Sequence, residues 1–144
     1  MKKEERIKPI VMRFVVEQGN FQLAGEASSR IKSRLLQLGF SGSLIRRIAI
    51  ATYEAEMNLV IHSYGGTIEA QIIPEIVTIL ASDTGPGIPD LEKAMQEGFS
   101  TAPEEIREMG FGAGMGLPNM RNCSTEFEIV SEIGKGTNIT MVIS

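Results

Sequence analysis

A carboxylate and a carboxamide stand four residues apart at Glu54 and Asn58, and His62 follows four residues later. On a helix this spacing puts all three side chains on one face. A carboxamide oxygen there can ligate Mg2+, a hard cation that takes oxygen ligands together with substrate phosphates. A carboxylate beside it can position or deprotonate a nucleophile. A second cluster is Asp83-Thr84-Gly85-Pro86-Gly87. An Asp at the end of an apolar strand is half removed from water, which is costly unless a donor pairs with it. An adenine amino group is one such donor, and Gly85 and Gly87 would let the backbone approach a flat ring. The third cluster is Gly110-Phe111-Gly112-Ala113-Gly114-Met115-Gly116-Leu117. Free backbone N–H groups at a helix start attract phosphate. No Gly-Lys-Ser/Thr follows, which excludes a P-loop, and the preceding segment is not a strand of a βαβ unit, which argues against a dinucleotide loop. Taken singly, each cluster also reads as something plainer: a polar helix face, a turn, a surface loop.

The elements that must hold these residues are legible from periodicity. Residues 9–17 are rich in β-branched and aromatic side chains and read as a strand. Phe21, Ala24, Ala27, Ile31 and Leu35 repeat at helical spacing, which predicts a helix from Phe21 to Leu38, stopped by Gly39. Ser41 or Ser43 caps a second helix over 44–63, with Leu44, Ile48, Ala51, Ala55 and Leu59 as its core stripe. This stripe lies away from Glu54 and Asn58. Residues 67–73 and 76–83 read as strands joined at Pro74-Glu75, and 91–96 as a short helix. Residues 97–116 are glycine-rich and weakly periodic, the expected flexible lid. A helix over 117–123 and strands over 126–130 and 138–143, turning at Gly134-Lys135-Gly136, complete the order. Strands meeting in hairpins imply mostly antiparallel pairing. The expected fold is α/β, a two-layer sandwich whose sheet is covered on one face by helices.

At 144 residues the chain is expected to form one domain with a core of its own. The net charge of −4 and the lack of a basic block argue against a nucleic-acid partner. No stretch approaches the ~20 apolar residues of a membrane span, and no signal-peptide pattern follows the charged start. A lone Cys123 makes no internal disulfide and fits a cytoplasmic setting, where it is read as a small, partly buried side chain.

The three clusters in this order resemble the nucleotide-binding boxes of the GHKL superfamily of ATPases and kinases. The finer resemblance is to the bacterial anti-sigma-factor serine kinases and the related stress-response switch kinases, and it spans about Ile10 to Ile143. The stretch from Glu54 through His62 to Tyr64 looks like the family's magnesium helix. Asp83–Gly87 matches its adenine box, Gly114-Met115-Gly116-Leu117 its phosphate-lid end, and Gly136-Thr137 the step that lines the adenine pocket. The resemblance implies a Bergerat-type ATP-binding fold with Glu54 as general base, Asn58 as magnesium ligand and Asp83 as adenine reader. Gly85, Gly87 and Thr137 would shape the base pocket. Gly110, Gly112, Gly114 and Gly116 would wrap the phosphates, with Met115 and Leu117 alongside. His62 joins the nucleotide-binding set, although read by itself it is a structural residue. One position departs: these kinases often carry an Arg before the final Gly-x-Gly, where this chain has Gly112-Ala113, with Arg107 nearby.

The implied activity is ATP- and Mg2+-dependent transfer of phosphate to a serine or threonine of a STAS-type antagonist protein in a bacterial partner-switching pathway. Two other activities stand beside it: nucleotide-dependent sequestration of a sigma factor or other regulator, and a stand-alone histidine-kinase-like ATPase domain. The resemblance leaves room for a homodimer.

Overall fold

The computed structural model describes residues 8–96 and 116–144. Its elements, in chain order, are β1 Ile10–Val16, α1 Glu26–Gln37, α2 Gly42–His62, β2 Gly66–Ile73, β3 Ile76–Asp83, α3 Leu91–Ala94, α4 Gly116–Cys123, β4 Glu126–Glu132 and β5 Gly136–Ile143. The five strands form one sheet in the order β1-β2-β3-β5-β4, every neighbouring pair antiparallel. The expected two-layer α/β sandwich is therefore what the chain builds.

Alternation along the strands makes the sheet one-sided. Ile68, Ala70 and Ile72 of β2, Val77, Ile79 and Ala81 of β3, and Ile139, Met141 and Ile143 of β5 are all buried. They meet the α2 stripe of Leu44, Ile48, Ala51, Ala55 and Leu59 in a continuous apolar core. Pro74-Glu75 closes β2 onto β3, with Ile73 facing Ile76 across the turn. Proline presets the first turn residue, and Glu75 takes the second at φ 65°.

Ser41 is the residue that caps α2, its hydroxyl accepting from the Leu44 N–H at 3.3 Å. The first helix differs from the sequence expectation. It starts at Glu26, not Phe21, although Phe21 and Ala24 still pack on the core. Two contacts account for this. The Asn20 carboxamide oxygen accepts from the Leu23 N–H at 3.3 Å and holds a turn there, and Gly25 takes a left-handed φ of 94° that a continuous helix excludes. The new N-terminus is capped from another element. Buried Glu56 on α2 accepts the Ala27 N–H at 3.1 Å and the Ser28 N–H at 3.2 Å.

Candidate nucleotide site

Glu54 and Asn58 sit on the half-buried face of α2, flanked by buried Ala55, Glu56, Met57 and Leu59. His62 prolongs that face by one more turn, so the three span about 12 Å of helix. Burial lowers the His62 pKa and favours its neutral form.

Helix α4 closes over one end of this face. Asn119 donates through Nδ2 to Glu54 Oε2 at 3.1 Å. Gly116, which opens α4, lies beside the other carboxylate oxygen: a Cβ there would be 3.4 Å from Glu54 Oε1. Leu117 and Met120 are buried and seat the helix on the core. At its other end Arg47 donates to the Cys123 carbonyl at 3.2 Å, a cation at a helix C-terminus.

The other end of the face meets the loop after β3. The Tyr64 N–H donates to the Gly85 carbonyl at 3.1 Å. Asp83 ends β3 half-buried, and its Oδ1 accepts two backbone N–H groups, from Gly85 at 2.9 Å and Thr137 at 3.1 Å. Burial raises the Asp83 pKa, and the two hydrogen bonds act against that rise. Oδ2 has no hydrogen-bond partner among the described residues. Thr137 is itself buried, and its hydroxyl pairs with the Ser131 hydroxyl at 2.8 Å. Ser131 also accepts the Ile88 N–H at 2.7 Å and ties the loop to β4.

Gly87 of this loop and Gly136 at the start of β5 serve a close approach of backbone to backbone. A Cβ on Gly87 would lie 2.6 Å from the Glu132 carbonyl oxygen, and one on Gly136 would lie 2.2 Å from that of Asp83. Gly85 is packed differently, with the Tyr64 ring 3.5 Å from the place a Cβ would take. The sequence reading assigned Gly85 and Gly87 to ring approach; the packing gives Gly87 this further task.

The structure thus brings Glu54 to Gly116 and Asp83 to Gly85 and Thr137, with Asn58 and His62 along the helix face that runs between. Gly110, Gly112, Gly114 and Met115, with Arg107, lie outside the described residues. Asn119 and Ser131 were missed from sequence. Asn119 stands three residues after Gly116, hence on the same side of α4, but no local signal says that α4 faces Glu54. Ser131 is a plain strand serine until its register opposite Thr137 is known. A separate cleft of about 300 Å3 lies between β1 and the start of α1, where it reaches Glu56 and Val60 on another face of α2. Both Glu56 oxygens are already engaged there as acceptors for the start of α1.

The side chains suit a magnesium nucleotide. Asn58 is half-buried with no side-chain hydrogen bond among the described residues, so its oxygen is available to a hard cation. The described residues contain no group of three His, Cys, Asp or Glu side chains able to hold a metal unaided.

Residues 44–144 match the family model described as histidine kinase-, DNA gyrase B-, and HSP90-like ATPase. An anti-sigma F factor of Caldanaerobacter subterraneus is 42% identical over 102 residues, 67% of this chain and 68% of that protein. The serine/threonine-protein kinase RsbT of Bacillus subtilis is 34% identical over 110 residues, 74% of this chain and 77% of that kinase. Among solved structures, that of the RsbU and RsbW domains of a Mycobacterium tuberculosis protein superposes with a TM-score of 0.63 at 18% identity, covering 93% of this chain and 32% of that longer one. With the family's model matched over residues 44–144, most of the sequence, the chain belongs to the histidine kinase-, gyrase B- and HSP90-like ATPase family.

Proposed function

We propose that this protein is an ATP-dependent serine/threonine kinase of the partner-switching type, whose substrate is a STAS-type antagonist protein and which also binds a sigma factor or an equivalent regulator. The observation that carries the reading is the half-buried face of α2. Among the described residues it presents Glu54 beside Gly116 and leaves the Asn58 carboxamide unengaged, while Asp83 is held at the far end with one oxygen unpaired. Relatives named anti-sigma F factor and serine/threonine-protein kinase, at 42% and 34% identity, support the same activity.

In this reading Asp83 accepts the adenine amino group through Oδ2. Asn58 would hold magnesium, which would supply neutralisation of the phosphate charge. Glu54 accepts the proton of the serine or threonine hydroxyl. Phosphoryl transfer asks mainly for positioning and charge stabilisation, which suits a site with so few ionisable groups. Glycines 110, 112 and 114 remain the proposed phosphate-wrapping residues, and a cytoplasmic setting follows from the proposed partners.

The test is Glu54→Gln with labelled ATP and a STAS-type partner. The amide keeps the volume and a hydrogen-bonding group but cannot take a proton. Transfer is expected to slow by about 10²–10⁴ while ATP affinity stays nearly intact. The product of the unmodified protein is expected to keep its label in acid and lose it in strong base, as phosphoserine does. An acid-labile product would move the reading to the histidine kinases. ATP binding with no transfer to any such partner would leave sequestration as the activity.

A further inference from the structure

We infer that Asn119 is a positioning residue for Glu54, fixing which carboxylate oxygen is free to receive the proton; this rests on the kinase reading above. A carboxylate can only accept, so the Asn119 atom facing it is the Nδ2 donor. That bond, 3.1 Å to Oε2, is the single side-chain hydrogen bond to Glu54 among the described residues. One turn earlier on α4, Gly116 lies against Oε1 and offers no side chain to it. Among the described residues, a single turn of α4 therefore treats the two oxygens differently: Oε2 is tied and Oε1 takes no hydrogen bond.

The donor is rigidly mounted. Leu117 and Met120 on either side of it are buried, and Arg47 holds the last turn of α4 through the Cys123 carbonyl. Glu54 sits on α2, which packs on α4 and on the sheet. Without the amide, the Glu54 side chain would sample several rotamers on a half-open face, and few would aim Oε1 at a bound hydroxyl. In the step itself, the hydroxyl proton passes to Oε1 as the oxygen–phosphorus bond forms and the bond from phosphorus to the ADP oxygen breaks. Asn119 does not touch the reacting atoms.

The experiment compares Asn119→Ala, Asn119→Gln and Asn119→Asp with the unmodified protein and with Glu54→Gln. It reads kcat and KM for transfer, the ATP affinity by calorimetry and the pH–rate profile. Asn119→Ala is expected to lose about tenfold or more in kcat, with KM for ATP and ATP affinity within about twofold of the unmodified protein. Asn119→Gln restores a donor and should recover part of that loss. Asn119→Asp places a second carboxylate against the first and should move the acid limb of the profile up by about one pH unit. Unchanged kcat in Asn119→Ala and an unshifted profile in Asn119→Asp, with Glu54→Gln inactive, would overturn the role of Asn119 and leave the kinase reading standing. Normal transfer by Glu54→Gln would overturn the base assignment and, with it, the positioning role.

Discussion

At Asp83 one carboxylate answers to two opposed demands. The proposed recognition of a base needs an open, charged acceptor, whereas the place of Asp83 at the end of a central strand removes it from water. Burial lifts its pKa, and the N–H groups of Gly85 and Thr137 only partly offset the lift. A carboxyl whose folded pKa is raised supports folding fully below its unfolded value, near 4. That support is lost as the pH rises through the folded value. Ionised Asp83 is therefore a cost to stability at neutral pH. Asp83→Asn keeps an oxygen for both N–H groups and carries no charge. Its melting temperature at pH 7 is expected to equal or exceed that of the unmodified protein, the difference closing by about pH 4. ATP affinity should move the other way, falling at least about tenfold, with weakened preference for adenine over guanine. Thermal melts across pH and calorimetry with both nucleotides would separate these effects; an unchanged affinity would make Asp83 a turn residue only. Cys123 behaves as its surroundings in sequence suggested: it is half-buried, and burial pushes its thiol pKa up.

Helix α2 carries two glutamates two residues apart with unrelated duties. Glu54 looks onto the open face and Glu56 into the start of α1, where both of its oxygens cap backbone N–H groups. Glu56→Ala would leave two buried donors unpaired, and the expected loss is about 2–4 kcal/mol in urea unfolding. ATP affinity of the folded fraction should be unaffected, the reverse of what is expected for Asp83→Asn. His62, in the last turn of the same helix, argues the pH dependence at this scale. Its lowered pKa means that its contribution to stability is complete above about pH 6.5 and is lost as the pH falls through the folded value. It is the chain's one histidine, so its imidazole resonances can be followed by NMR without overlap. His62→Gln is expected to flatten the decline of stability on acidification below about pH 6.5. An unaltered slope would assign that decline to the carboxylates.

Across the whole molecule, Arg47 joins parts of the chain far apart in sequence. From α2 it donates to the Cys123 carbonyl at the end of α4, to the backbone oxygen of Ser144 after β5 at 2.9 Å, and to the Thr125 hydroxyl before β4 at 3.4 Å. The helix that touches Glu54 is thereby tied to the sheet that carries Thr137. Arg47→Ala is expected to cost about 1–3 kcal/mol and to speed amide exchange in 117–123 before other segments. Arg47→Lys should recover little, because an ammonium cannot span the three acceptors as a planar fork does. Equal exchange rates in α4 would show that buried Leu117 and Met120 suffice to hold it.

Period and punctuation alone determined the element order, the one-sided sheet, and the shared face of Glu54, Asn58 and His62. Side chains four apart on a helix, or two apart on a strand, share a side wherever the rest of the chain lies. The Asp-x-Gly-x-Gly loop was legible for the same reason, since turn chemistry is local. The start of α1 was not. Its apolar positions kept helical spacing back to Phe21, and the Asn20 turn, the left-handed Gly25 and the Glu56 cap made the helix start five residues later than that spacing suggested. The pairing of Asn119 with Glu54, of Ser131 with Thr137, and of Thr137 with Asp83 was beyond reach in the same way. These bonds span 65, 6 and 54 residues and depend on the packing of α2 on α4 and the register of β5 between β3 and β4. Which polar groups meet across such packed elements is decided when the apolar core closes, because core burial is non-directional in origin and its packing then sets the distances.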